Sequence, residues 1–297
     1  MSVCHWPDSH SSAQSAAKKP VLHWAHANGF NGETYTPLLQ PLADRFEVYA
    51  ADARGHGFST LPADPSAMTG WDIYRDDLIP FIEHLADKSG EKIWLGGHSM
   101  GGCASVMVAA KRPDLVAGLC LADPVIVPGY GHWLFSLYSR LRGGGDGGGQ
   151  MLMKMALKRR ANWPDAATIE AAYTGRGAFA TWQDAFLPAY VRGGVKPIED
   201  GQGNTVTLAC APAWEAVNFK GPQVNVEADI KKLKVPFTLL MAEHGSTTRA
   251  VAAFDKPQVA KSVRVLPGST HFLPMEFPDQ LRDALCQLAG VDEVSRA

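Results

Sequence analysis

The sequence predicts an α/β fold: a mostly parallel sheet flanked by helices, with an inserted, mainly helical cap. Three observations carry this expectation. Short apolar runs alternate with longer segments of helical spacing, the pattern of βαβ units. A Gly-His-Ser-Met-Gly sequence at 97–101 sits between one such run and the helical segment after it. Finally, the stretch from about 128 to 232 has a different texture, with helical patterns, many aromatics and a GGGDGGG run at 143–149.

Composition sets the outer bounds. A chain of 297 residues fits two domains, or one large domain with an insertion. With 46% hydrophobic and 20% charged residues it can bury a sizeable core. Lysine plus arginine is 28 and aspartate plus glutamate is 30, a formal charge of -2, so there is no strong positive field and nucleic acid is not an expected partner. Cys4, Cys103, Cys120, Cys210 and Cys286 show no CxxC spacing, which argues against a disulfide framework or a zinc site. No apolar run approaches the roughly 18 residues that span a bilayer, and the Ser- and Ala-rich beginning lacks the apolar stretch of a secretory signal. Residues 1–19 are therefore expected to form a loose tail on a soluble, cytoplasmic protein with no membrane partner.

The elements follow in order. Val21–Ala25 reads as a strand ending in a Gly-containing loop, and Tyr35–Asp44 has helical spacing. Phe46–Ala51 is the next strand, closed by the turn DARGHG at 52–57. Trp71–Ala86 is a helix with Pro80 inside it, which predicts a kink near Ile79. Strands are expected at Ile93–Gly97, Val116–Ala122, Phe237–Ala242 and Ser262–Leu266, with a helix after Ser99 to about Arg112 and a closing helix over Phe277–Leu288. The core is thus 20–127 with 233–297, and the cap is 128–232. The glycine run reads as a connector, because it does not match GxxxxGK[ST] and no strand leads into it.

The GxSxG match, with its strand before and helix after, is the context of a nucleophile elbow. Such a turn is sharp, exposes the Ser99 hydroxyl and aims the helix N-terminus at the reacting centre. Serine needs a base to act as a nucleophile. Of ten histidines, His271 is the best placed, in a loop between the last strand and the closing helix. His98 should turn into the fold, and His26 should organise a loop. Two backbone N–H groups are needed to hold an oxyanion. The expected donors are Met100, directly after the serine, and Asn28, in the loop after the first strand.

The motifs HANGFNG (26–32), DARGHGFS (52–59), GHSMGG (97–102) and PGSTHFLPMEFP (267–278) resemble the α/β-hydrolase fold superfamily, in its capped serine hydrolase and esterase branch. They cover nearly all of the core outside the cap. Ala27 departs from the HG of most members. The resemblance implies a Ser-His-acid triad acting through an acyl-enzyme, with no metal or organic cofactor. In most members the acid is an Asp in the loop after the strand that here is FTLLMA, but this sequence has Gly245 at that place. The resemblance leaves Asp123, after the strand that follows the elbow helix, as the favoured acid and Glu243 as the alternative. Epoxide hydrolases and haloalkane dehalogenases of the superfamily use Asp as nucleophile, so Ser99 points away from them.

The expected activity is hydrolysis of a carboxylic ester, or a lactone, of a small, largely apolar substrate. C–C bond or thioester hydrolysis on the same triad is the alternative, as is a weakly catalytic ligand-binding member of the fold. Aromatics and methionines of the cap, among them Trp133, Phe135, Tyr138, Met151, Met155, Trp182 and Tyr190, are expected to pack the cap or line an apolar pocket. Lys154, Lys158, Arg159 and Arg160 read as a solvated helix face.

Overall fold

A computed structural model describes residues 1–7, 18–127, 149–198, 205–219 and 225–292. Its strands are β1 (Val3–Trp6), β2 (Val21–Ala25), β3 (Glu47–Ala51), β4 (Ile93–His98), β5 (Val116–Ala122), β6 (Asn162–Trp163), β7 (Val195–Pro197), β8 (Val206–Leu208), β9 (Phe237–Ala242) and β10 (Lys261–Leu266). Seven form one sheet in the order β1-β3-β2-β4-β5-β9-β10. Every pairing in it is parallel except β1 with β3.

Strands in a parallel sheet are covered on both faces and read as continuous apolar runs. Accordingly every residue of β2 and of β9 is buried. One face is packed by the helices Asp72–Ser89, Met100–Lys111 and Val226–Lys232, through residues such as Ile82, Val106 and Ile230. On the other lie the closing helix Pro278–Ala289 and the segment around Leu38–Leu42. The register places Ala25 beside Gly97 and His98 beside Ala122, so the carboxyl ends of β2, β4 and β5 form a common edge.

Two expectations need correction. Val3–Trp6 is not loose tail: it pairs antiparallel with β3, Trp6 opposite Val48, and buries Trp6. Tyr35–Asp44 is not one helix. It is a series of short helical turns, Gly32–Tyr35, Thr36–Leu39 and Gln40–Asp44, because Pro37 and Pro41 remove N–H donors that a longer helix would need. The described residues between β5 and β9 are mainly helical, and β6, β8 and β7 add a small antiparallel sheet in that order. By contrast, the helix Asp72–Ser89 runs through Pro80 without a break.

The residues between β5 and β9 rest on the loops at the sheet's carboxyl edge. The Asn28 side-chain amide donates to the Glu215 carbonyl at 3.0 Å, the Asn31 amide to the Tyr190 carbonyl at 3.1 Å, and the Trp214 indole to the Arg54 carbonyl at 2.9 Å. Trp163, Tyr173, Phe179, Trp182 and Tyr190 pack on one another, as expected for an aromatic core. Met151 and Met155 are exposed to solvent. Trp133, Phe135, Tyr138 and positions 143–148 of the glycine run lie outside the described residues. Arg159 is not on a solvated face. It ion-pairs with Glu215 and donates to the Tyr190 hydroxyl at 2.7 Å. Among the described residues no helix is long and apolar enough to cross a membrane.

Candidate active site

Ser99 stands between β4 and the helix Met100–Lys111 with φ 56 and ψ −117, a backbone conformation that non-glycine residues rarely adopt. The elbow can be this tight because Gly101 has no side chain. A Cβ there would lie 2.1 Å from the Ala25 carbonyl oxygen and 2.6 Å from that of His26. The first turn of the helix therefore rests directly on the end of β2. Met100 is the first residue of that helix, so its N–H has no partner within it. Among the described residues neither the Met100 nor the Asn28 N–H donates to a protein acceptor.

His271 lies after β10, 172 residues along the chain from Ser99, and its Nε2 is 3.0 Å from the Ser99 Oγ. Its Nδ1 is 2.7 Å from Oδ2 of Asp123, at the end of β5. Asp123 is fully buried and has φ 41, a second positive φ on the same edge. Its carboxylate is well supplied with donors: the Ala242 N–H at 3.2 Å, the Ser246 hydroxyl at 2.5 Å, and the Thr247 N–H at 2.9 Å and hydroxyl at 3.2 Å. Burial by itself pushes this carboxyl up, but the bond to His271 and its charge, with the Ser246 and Thr247 bonds, outweigh that and hold it below the usual carboxylate range.

Gly245 explains where the donors come from. It has φ 70, the left-handed region that favours glycine, and so turns the chain after β9 until Ser246 and Thr247 face Asp123. The loop that would carry an acid in most members of the superfamily instead supports one. Ser246 and Thr247 were not legible as site residues. The only sequence signal is the run of three hydroxyl residues, Ser246, Thr247 and Thr248, directly after that glycine. Glu243 is turned away: its Oε2 accepts the Gly268 N–H at 2.7 Å, and its side chain is 46% exposed. The structure thus brings Ser99, His271 and Asp123 together and leaves Glu243 outside.

His26 and His98 have the expected structural positions. His26 donates from Nδ1 to the Ala27 carbonyl at 2.8 Å and accepts the Ala53 N–H on Nε2 at 2.9 Å. His98 is fully buried between Tyr35 and His271. Burial, helped by neighbouring positive charge, pushes His23, His56 and His98 each down to about 3. An unfolded histidine takes up a proton near 6.5, so unfolding binds protons between these two values, and stability falls as pH is lowered through that window. We expect the urea midpoint to drop continuously from pH 7 to pH 4. A midpoint that stays level over that range would contradict the neutral, buried assignment.

Next to the triad stands an aromatic wall. The Phe30 ring centre lies 5.3 Å from that of Trp182, 5.7 Å from Tyr190 and 6.2 Å from Phe272, the residue after His271. The wall joins the loop after β2, the loop after β10 and the segment between β5 and β9, and through Phe272 it sets an apolar surface beside His271.

A hydroxyl, an imidazole and a buried carboxylate in bonded series, set on the carboxyl edge of a parallel sheet, define a hydrolase-type site. Residues 21–284 match the model of the alpha/beta hydrolase family, and the chain belongs to that family. It is 28% identical over 266 residues to the 2-(acetamidomethylene)succinate hydrolase of Mesorhizobium japonicum, covering 88% of this chain and 84% of that protein. It is 29% identical to the monoglyceride lipase of Mus musculus over 115 residues, 38% of this chain and 37% of that protein. Among solved structures, that of E-2-(acetamidomethylene)succinate hydrolase superposes with a TM-score of 0.71 at 23% identity, covering 97% of this chain and 94% of that one.

Proposed function

We propose that the protein is a serine hydrolase that cleaves a carboxylic ester, or a lactone, of a small and largely apolar substrate through an acyl-enzyme. The observation that carries this reading is the bonded series itself: Ser99 Oγ to His271 Nε2 at 3.0 Å, and His271 Nδ1 to Asp123 Oδ2 at 2.7 Å. The Asp123 carboxylate fixes the tautomer that leaves Nε2 free to accept a proton.

His271 Nε2 takes the Ser99 proton as Oγ bonds to the acyl carbon. The carbonyl oxygen becomes an oxyanion, held by the Met100 and Asn28 N–H groups. The bond to the leaving oxygen then breaks, and that oxygen takes the proton from His271. Water repeats the sequence on the acyl-enzyme: His271 removes its proton, the oxygen bonds to the acyl carbon, and the released Ser99 Oγ is reprotonated. Asp123 stays charged throughout and stabilises the imidazolium. The inserted segment acts as the cap, and Phe30, Trp182, Tyr190 and Phe272 form the apolar side of the substrate pocket.

The likeness to 2-(acetamidomethylene)succinate hydrolase favours a second reading, in which the same triad attacks an acyl group other than a simple ester. Turnover of p-nitrophenyl esters of increasing acyl length, beside a thioester and an anilide of the same acyl group, separates the two. The ester reading predicts the highest kcat/KM on a short or medium ester. Preference for the anilide or thioester would support the second reading, and no turnover of any of them would end both.

A further inference from the structure

His98 occupies the position before the nucleophile but bonds to neither Ser99 nor Asp123. Its two nitrogens are both used. Nδ1 is 2.8 Å from the Tyr35 hydroxyl, and Nε2 is 2.7 Å from the His271 backbone oxygen. The Tyr35 hydroxyl in turn accepts the Ala27 N–H at 3.1 Å. Tyr35 and His98 are fully buried, so water cannot substitute for any of these bonds.

The hydrogens in this chain can be ordered in only one direction. The Ala27 N–H can only donate and the His271 carbonyl can only accept. His98 must therefore carry its proton on Nε2. In the neutral ring Nδ1 is then an acceptor, and the Tyr35 hydroxyl must donate to it. The series runs Ala27 N–H to Tyr35 Oη, Tyr35 O–H to His98 Nδ1, and His98 Nε2–H to His271 O. It links the loop after β2, the last residue of β4 and the loop after β10.

We propose that Tyr35 and His98 form a positioning strut that holds the donor loop before Asn28 and the backbone of His271 at a fixed spacing around Ser99. The proposal rests on the serine hydrolase reading above. Asn28 follows directly on the strut's first donor, and the imidazole of His271 hangs from the residue whose carbonyl is its last acceptor. The strut therefore sets where the oxyanion donor and the base stand relative to a hydroxyl whose own position is fixed by the strained elbow. Misplacing such groups by about 1 Å is enough to cost up to about 10²-fold in rate.

The test uses Tyr35→Phe, His98→Asn and His98→Gln in the full chain. Asparagine places its amide near the position of Nδ1 and loses the bond to His271, whereas glutamine places an N–H near Nε2 and loses the bond to Tyr35. For each variant, a fluorophosphonate counts active sites, thermal unfolding checks the fold, and p-nitrophenyl butyrate gives kcat and KM per active site. We expect Tyr35→Phe and His98→Asn to lower kcat by about 10- to 100-fold with KM nearly unchanged. His98→Gln, which breaks the same link as Tyr35→Phe, should match it in kcat, and the Tyr35→Phe/His98→Asn double variant should be no slower than the worse single, because one broken link disables the strut. A merely structural role would lower the melting temperature without this kcat-against-KM split or the match between Tyr35→Phe and His98→Gln. Folded variants with kcat within about twofold of wild type, or losses that multiply in the double variant, would overturn the strut. Should Tyr35→Phe not fold, His98→Asn and His98→Gln decide the matter, each expected to lose kcat with KM nearly unchanged. A wild-type protein that neither reacts with the fluorophosphonate nor turns over the ester would remove the serine hydrolase reading and the strut together, an outcome distinct from active wild type with unaffected variants.

Discussion

Ser99→Ala will lower kcat for a p-nitrophenyl ester by about 10⁶, to the level that binding and the oxyanion donors alone supply. The size of the effect follows from the geometry. The hydroxyl is the only group on the elbow 3.0 Å from the His271 imidazole, and its φ of 56 holds it there in a conformation the rest of the fold must enforce. Removing one oxygen leaves His271, Asp123 and the surrounding loops in place, so the variant should fold and bind substrate. Turnover measured with active enzyme at high concentration checks this. A loss below about 10²-fold would mean that water attacks without Ser99, since general acid–base catalysis by His271 alone contributes on that order.

The second large effect falls on the acid. Asp123→Asn should lower kcat by on the order of 10⁴, because an amide cannot keep the His271 proton on Nδ1. Asn retains the volume of the buried side chain, and its oxygen can still accept from Ser246 or Thr247. Glu243→Ala should change kcat by no more than about twofold, as an exposed carboxylate bonded to Gly268 does no more than shape its loop. Steady-state kinetics of the two variants side by side separate the candidates. A collapse on Glu243→Ala with near-normal Asp123→Asn would assign the acid to the wrong strand end.

How far the sequence carried these conclusions depended on the range of the interaction. β2, β5 and β9 match the apolar runs Val21–Ala25, Val116–Ala122 and Phe237–Ala242 residue for residue, because a strand buried on both faces writes its own limits in hydrophobicity. Ser99 was legible from a five-residue pattern, and His271 from chain order. Between Asp123 and Glu243 the sequence favoured Asp123 through resemblance alone, since the choice turns on which strand end faces the imidazole after the sheet is assembled. Ser246 and Thr247 were hidden for the same reason: their partner is 123 and 124 residues away. Arg159 looked like one more charge on a helix face because Glu215, which it pairs with, is 56 residues further on. β1 and the strands of the small sheet have two to four residues each, too few for a two-residue alternation to stand out.

The measurement closest to the centre of the account is acid-quench trapping during turnover of a p-nitrophenyl ester, followed by peptide mass mapping. The account predicts an initial burst of p-nitrophenol near one equivalent and the acyl mass on the peptide that contains Ser99, both absent in Ser99→Ala. Steady turnover with no acyl adduct, or with the adduct on another residue, would contradict it.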